Sequence, residues 1–96
     1  MYGTVTRMHL KPGSEAQFKA MSDEYRDLKI PGFRQAYIYK MDANPNEIMM
    51  AVVFDDKASY HANAASPDQD ARFRKMRELL ASDPEWHDGE VIATME

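Results

Sequence analysis

Tyr60 and Asn63 stand three residues apart in a segment of helical character. One helix face therefore carries a phenol beside a carboxamide. Together they could hydrogen-bond a phenolic or quinone oxygen. The carboxamide does not titrate usefully, so Asn63 can bind an oxyanion but not serve as an ordinary general base. The plainer alternative is that Tyr60 packs the core and Asn63 bonds a loop. Three histidines are present, His9, His61 and His87, none at the i, i+3 or i, i+4 spacing of a metal ligand pair. His9 is conceivable as a general base because imidazole titrates near neutrality, but it reads better as an interfacial residue. His61 points about 100° away from Tyr60 around a helix, toward solvent. No catalytic residue is assigned. Without cysteine there is no disulfide, thiolate chemistry or thiolate-bound metal. The expectation is a protein with neither metal nor haem nor flavin.

The aromatic residues Tyr37 and Tyr39 alternate along a strand with Phe33, Gln35 and Met41 on one face. They are either an aromatic wall for a planar ligand or simply core. Trp86 sits with His87 among Asp83, Glu85, Asp88 and Glu90. The neighbouring Pro84 and Gly89 favour an acidic surface turn over a cation site, with Trp86 folded back as a lid or onto a partner. Asn63, Tyr60, Thr6, Tyr37, Tyr39 and Trp86 are the candidate ligand contacts.

The elements that must position these residues follow from periodicity. Tyr2–Leu10 alternates as a strand, with Thr4, Thr6, Met8 and Leu10 on one face and Gly3, Val5, Arg7 and His9 on the other. Lys11-Pro12-Gly13 turns the chain, and Ser14 with Gln17 reads as a capping box. The helix that follows has a stripe of Phe18, Met21, Tyr25 and Leu28. Pro31-Gly32 stops it before a strand over Phe33–Met41. Asp42–Asn46 closes a hairpin to Glu47–Phe54. Asp55 or Asp56 caps a short helix. Ser66-Pro67 with Gln69 starts another, with a second capping-box pattern and a stripe of Phe73, Met76, Leu79 and Leu80. Asp83–Gly89 reads as a loop and Glu90–Met95 as the last strand. The order βαββαβ predicts an α+β, ferredoxin-like, four-stranded antiparallel sheet with its helices on one face, as a single domain over residues 1–96.

Composition narrows the function classes. Net charge is −4 and the basic residues are scattered, unlike a phosphate-binding surface. RNA-recognition domains share this topology, but Val5, Arg7 and Ala51 stand where their aromatic platform would be. No Gly-rich phosphate loop or Ser–His–Asp pattern occurs. The longest apolar run, Ile48–Phe54, is too short to span a bilayer, and no stretch reads as a signal peptide, so the expected location is cytoplasmic. The eight methionines suit an irregular core or an adaptable pocket.

Ile48–Phe54 is apolar on both faces, as a strand covered on both sides is. Helices on one face leave the other, with Val5 beside the third strand, as an exposed patch. A second copy would cover it isologously, so a homodimer through the sheet face is expected. A chain of this size alone buries only roughly 60–65% of its unfolded surface, which a partner would improve.

Lys11-Pro12-Gly13, Pro31-Gly32-Phe33, and Val53-Phe54-Asp55-Asp56 followed by Tyr60-x-x-Asn63 and Ser66-Pro67 resemble the antibiotic biosynthesis monooxygenase (ABM) family over nearly the whole chain. The resemblance implies a dimeric α+β barrel with a ligand cleft between sheet and helices. Members of that family oxidise polycyclic aromatics with O₂ and no cofactor, degrade haem, or act on small signalling metabolites. Haem-degrading members use an Asn on the first strand, a Trp on the short helix and a His on the next. Here those places hold Thr6 and Asn63, and Arg72–Leu80 contains no His, so haem degradation is not expected. In some cofactor-free members an Asn and aromatic residues near Asn63 are implicated in the oxidation. The resemblance thus implies a cofactor-independent monooxygenase of an aromatic or quinone-like metabolite, with a non-catalytic ligand-binding or dimeric interaction protein as the alternative.

Overall fold

The computed structural model describes residues 1–96. Its elements are β1 (Tyr2–His9), α1 (Glu15–Asp27), β2 (Phe33–Lys40), β3 (Glu47–Phe54), α2 (Lys57–Ala64), α3 (Pro67–Arg77) and β4 (Glu85–Glu90). The strands form one antiparallel sheet in the order β2-β3-β1-β4, the arrangement expected of a ferredoxin-like fold. Val5 lies opposite Ala51 on one side and His87 on the other. The period of two then sorts the side chains. Thr4, Thr6 and Met8 are buried toward the helices, while Val5 and Arg7 are exposed on the opposite, open face.

Met8, Leu10, Phe18, Ile48 and Leu80 make the core, with Met50, Met76 and Leu79 packed against it. This core sits at one end of the sheet, where Leu10 bridges to Leu80 just past β1. At the other end the rings of Tyr25, Phe33, Phe54, Tyr60 and Tyr2 meet edge to face in sequence, at centroid separations of 5.4, 5.7, 5.6 and 5.3 Å. That geometry suits the ring quadrupoles. Between the two ends the helices stand off the sheet.

Helix starts follow the sequence, with two differences. Asp56 caps α2 by accepting the Ser59 N–H at 2.8 Å, and the Ser59 hydroxyl completes a capping box. Ser66 caps α3 through the Gln69 N–H, with Pro67 opening the helix, but the Gln69 side chain turns to Arg72 instead of back to the cap. Ser14 occupies the cap of α1 without any side-chain hydrogen bond, because its backbone has already entered the helical region. Gly32 ends the α1–β2 turn at φ +80°, and a Cβ there would come within 2.5 Å of the Ser59 side chain. Only glycine meets both demands.

Two expectations fail, each for a physical reason. The last strand is Glu85–Glu90, not Glu90–Met95. The Asp83–Gly89 segment is therefore mostly strand, because its main chain pairs with β1 from Tyr2↔Glu90 to Arg7↔Glu85. The apolar residues that suggested a later strand lie beyond it, and Ile92 is 94% exposed. Secondly, Tyr37 and Tyr39 do not face the helices. The β2–β3 register shifts between Phe33 and Gln35, so Phe33 packs inward while Tyr37 and Tyr39 emerge on the open face, 56% and 57% exposed. A bulge adds one residue and inverts the alternation beyond it.

Candidate ligand cleft

Where the helices stand off the sheet, they enclose an open cleft of about 1100 Å³. Its floor is the helix-facing side of the sheet, including Met50 and Val52 from β3 and Ile38 from β2. Alternation carries these apolar side chains inward at every second residue. Its roof comes from α1, α2 and α3, and aromatic rings line both ends: Phe33 and Phe54 at one, Phe73 and Trp86 at the other. The Phe73 and Trp86 rings lie 6.1 Å apart. Mostly apolar walls with a few polar groups are typical of small-molecule sites.

Two hydrogen-bonded pairs supply those polar groups. The Asn63 amide on α2 donates to the Tyr25 hydroxyl on α1 at 3.3 Å. Burial pushes the Tyr25 phenol above its ordinary value, against the pull of the Asn63 hydrogen bond and the Arg72 charge. The Tyr60 hydroxyl donates to the Asp88 carboxylate at 2.9 Å. Burial first, then this bond to an anion, push the Tyr60 phenol up to about 12, with the Thr4 hydroxyl pulling the other way. Both phenols stay protonated at neutral pH. Tyr25, whose oxygen accepts from Asn63, keeps its proton free to hold an oxygen anion, whereas the Tyr60 proton is committed to Asp88; neither is a proton acceptor.

The cleft brings together three of the sequence candidates: Asn63, Tyr60 and Trp86. Trp86 is not in a loop; it pairs across from Thr6 in the middle of β4, which turns its ring to the helix side. Thr6 does lie on the helix-covered face, but it is wholly buried and does not line the cleft. Thr4, 3.4 Å from it hydroxyl to hydroxyl, lines the wall instead. Tyr37 and Tyr39 contribute nothing here because they occupy the other face. His61 borders the cleft while staying exposed, its ring 5.4 Å from Tyr60 and 5.8 Å from Tyr2. His9 and His87 belong to the strands' other side, with Val5 and Arg7. No group of three or more His, Asp or Glu side chains is arranged to hold a metal ion.

Among the polar residues lining the cleft, Tyr25, Arg72 and Asp88 were not sequence candidates. Tyr25 carries a signal, being the one residue with a polar tip on the apolar stripe of α1. Asp88 shares its face with Trp86 once the β4 register is known. Arg72 precedes the buried-stripe residue Phe73, which gave no hint of its direction.

The chain is thus a two-layer α+β protein with a helix-roofed aromatic cleft. Residues 1–78 match the family model for antibiotic biosynthesis monooxygenase, and the chain belongs to that family. Solved structures share the fold. A candidate antibiotic biosynthesis monooxygenase from Chloroflexus aurantiacus J-10-fl superposes with a TM-score of 0.80 at 23% identity, covering 99% of this chain and 96% of that one. An asparagine-to-alanine variant of SnoaB, a cofactor-independent oxygenase from Streptomyces nogalater, gives 0.83 at 18% identity over 98% and 95%. A conserved protein from Methanosarcina mazei Go1 gives 0.79 at 20% over 92% and 89%. No curated protein matches the chain. No helix is long and apolar enough to cross a membrane.

Proposed function

We propose that the cleft binds a flat aromatic or quinone-like metabolite, and that the protein is a cofactor-independent monooxygenase acting on it. The observation that supports this reading most is the pairing of aromatic walls with two protonated phenols, Tyr25 and Tyr60, in one cleft. An electron-rich phenolate or enolate substrate supplies its own electrons to O₂. A ring methylene then becomes a carbonyl: CH₂ and O₂ give C=O and H₂O, with no outside reductant. The protein's part is to bind the ring system, exclude water, and stabilise the substrate oxyanion through Asn63 and the Tyr25 hydroxyl. SnoaB, which shares the fold, is described as a cofactor-independent oxygenase. Oxygen uptake with 1,8-dihydroxyanthrone, corrected for spontaneous oxidation, should rise in proportion to protein and persist with a chelator present. Binding of the anthrone without any acceleration would contradict the monooxygenase.

One observation favours a second reading. Neither phenol offers a base at neutral pH, which suits a non-catalytic ligand-binding or dimeric interaction protein equally well. In both readings the working unit is a homodimer joined through the open sheet face. Val5, Tyr37 and Tyr39 are exposed there beside Met49, Ala51 and Val53, an apolar surface suited to an isologous partner. The proposed location is cytoplasmic.

A further inference from the structure

The geometry points to Arg72 as an anion-binding residue of the cleft, and to a planar aromatic acid, ionised at neutral pH, as the class of ligand. This rests on the cleft being a ligand site and adds the charge its occupant carries.

Arg72 is half-buried on α3, with its guanidinium 5.7 Å from the centre of the Tyr25 ring. Its Nε donates to Gln69 Oε1 at 3.1 Å, one turn back on the same helix. That leaves the two terminal nitrogens, and no carboxylate pairs with them. The other arginines of the cleft wall are engaged: Arg34 with Asp55 at 2.5 Å, and Arg26 with Asp23 and Asp27 at 3.7 Å each. Lys75 is free but exposed to bulk water. The nearby acids are mostly committed as well. Asp23 is held by Lys19 and Arg26, Asp70 by Arg74 at 2.6 Å, and Asp88 by the Tyr60 hydroxyl; Glu24 faces solvent.

Two more groups are near: Tyr25, whose ring lies by the guanidinium, and Asn63, bonded to Tyr25. The Tyr25 oxygen accepts from Asn63, so its own proton remains free to donate. Asn63 retains a second amide proton. No buried side-chain nitrogen or oxygen is left without a partner, so the terminal nitrogens of Arg72, which have none, are not sealed in the interior. A guanidinium fork matches a carboxylate in two parallel bonds, and partial enclosure strengthens the pair relative to bulk water. A phenol and an amide beside it suit the same oxygens. Phe33, Phe73 and Trp86 continue the cleft as aromatic surface, which fits an aromatic body attached to the acid.

The test compares 2-naphthoate with its neutral analogue 2-naphthamide by isothermal titration calorimetry. The wild-type protein should bind the acid at least tenfold more tightly than the amide. Arg72→Met should bring the two within twofold of each other, and Arg72→Lys should restore part of the preference. Far-UV circular dichroism confirms that both variants fold, and the wild-type comparison stands without them. Equal affinities in the wild type, or an unchanged preference in Arg72→Met, would overturn the anion site and leave the cleft reading intact. Heat from neither compound at millimolar concentration would overturn both.

Discussion

Tyr60 shows how one side chain records its surroundings. Its hydroxyl is drawn to Asp88, and its ring packs against Tyr2 and Phe54. A folded-state pKa near 12, against an ordinary value of 10.0, means that the folded form holds the proton longer than the unfolded chain does. Between these values the native state binds more protons, so stability falls as pH rises. Its contribution is complete below pH 10 and is lost as pH climbs through the folded value; Tyr25, raised in the same direction, adds to the loss. Thermal melts from pH 8 to 12 should show this decline, and Tyr60→Phe should flatten part of it. An unchanged slope in Tyr60→Phe would contradict the assignment. Asn63 and Tyr60 were legible as a pair because helical spacing is local. Their partners Tyr25 and Asp88 were not, since the pairs form across 38 and 28 residues of sequence. Only the packed fold brings such groups together.

Among the elements, the junctions decide more than the interiors. Gly32 couples the α1–β2 turn to α2 by lying against Ser59, which is itself half of the α2 capping box. Gly32→Ala should cost about 1–3 kcal/mol, the range for a non-glycine residue held at positive φ. Chemical denaturation measures it, and a loss below about 0.5 kcal/mol would show the turn to be more adaptable than this. Strand and helix order was readable because each element carries its own period and punctuation. The two misreadings fell where a period gives no information. The β2 bulge after Phe33 inverts the alternation without a Gly or Pro to announce it. β4 is acidic and polar, and a strand whose residues are all exposed is held by main-chain pairing with β1, for which its side chains give no pattern. Placing Tyr37 and Tyr39 on the open face moves them from the ligand site to the proposed interface.

For the whole molecule, one sheet presents two unlike faces: a helix-roofed cleft, and an open face with Val5 at 49% exposure near its centre. Light scattering at micromolar concentration should give twice the 11.0 kDa chain mass. Val5→Lys should shift the protein to monomer or unfold it, since a charge desolvated in an apolar contact is costly. A monodisperse wild-type monomer would contradict the dimer. The central claim concerns the other face, that the cleft is a ligand site in which Asn63 is a polar contact. A thermal-shift screen of aromatic and quinone metabolites, repeated with Asn63→Ala, tests it most directly. At least one compound should raise the wild-type melting temperature. For that compound Asn63→Ala should remain folded and bind more weakly by about 1–3 kcal/mol, the usual consequence of losing a hydrogen-bond partner in a desolvated site. A hit whose affinity is the same in both proteins, or a screen in which no aromatic compound stabilises the wild type, would contradict the account.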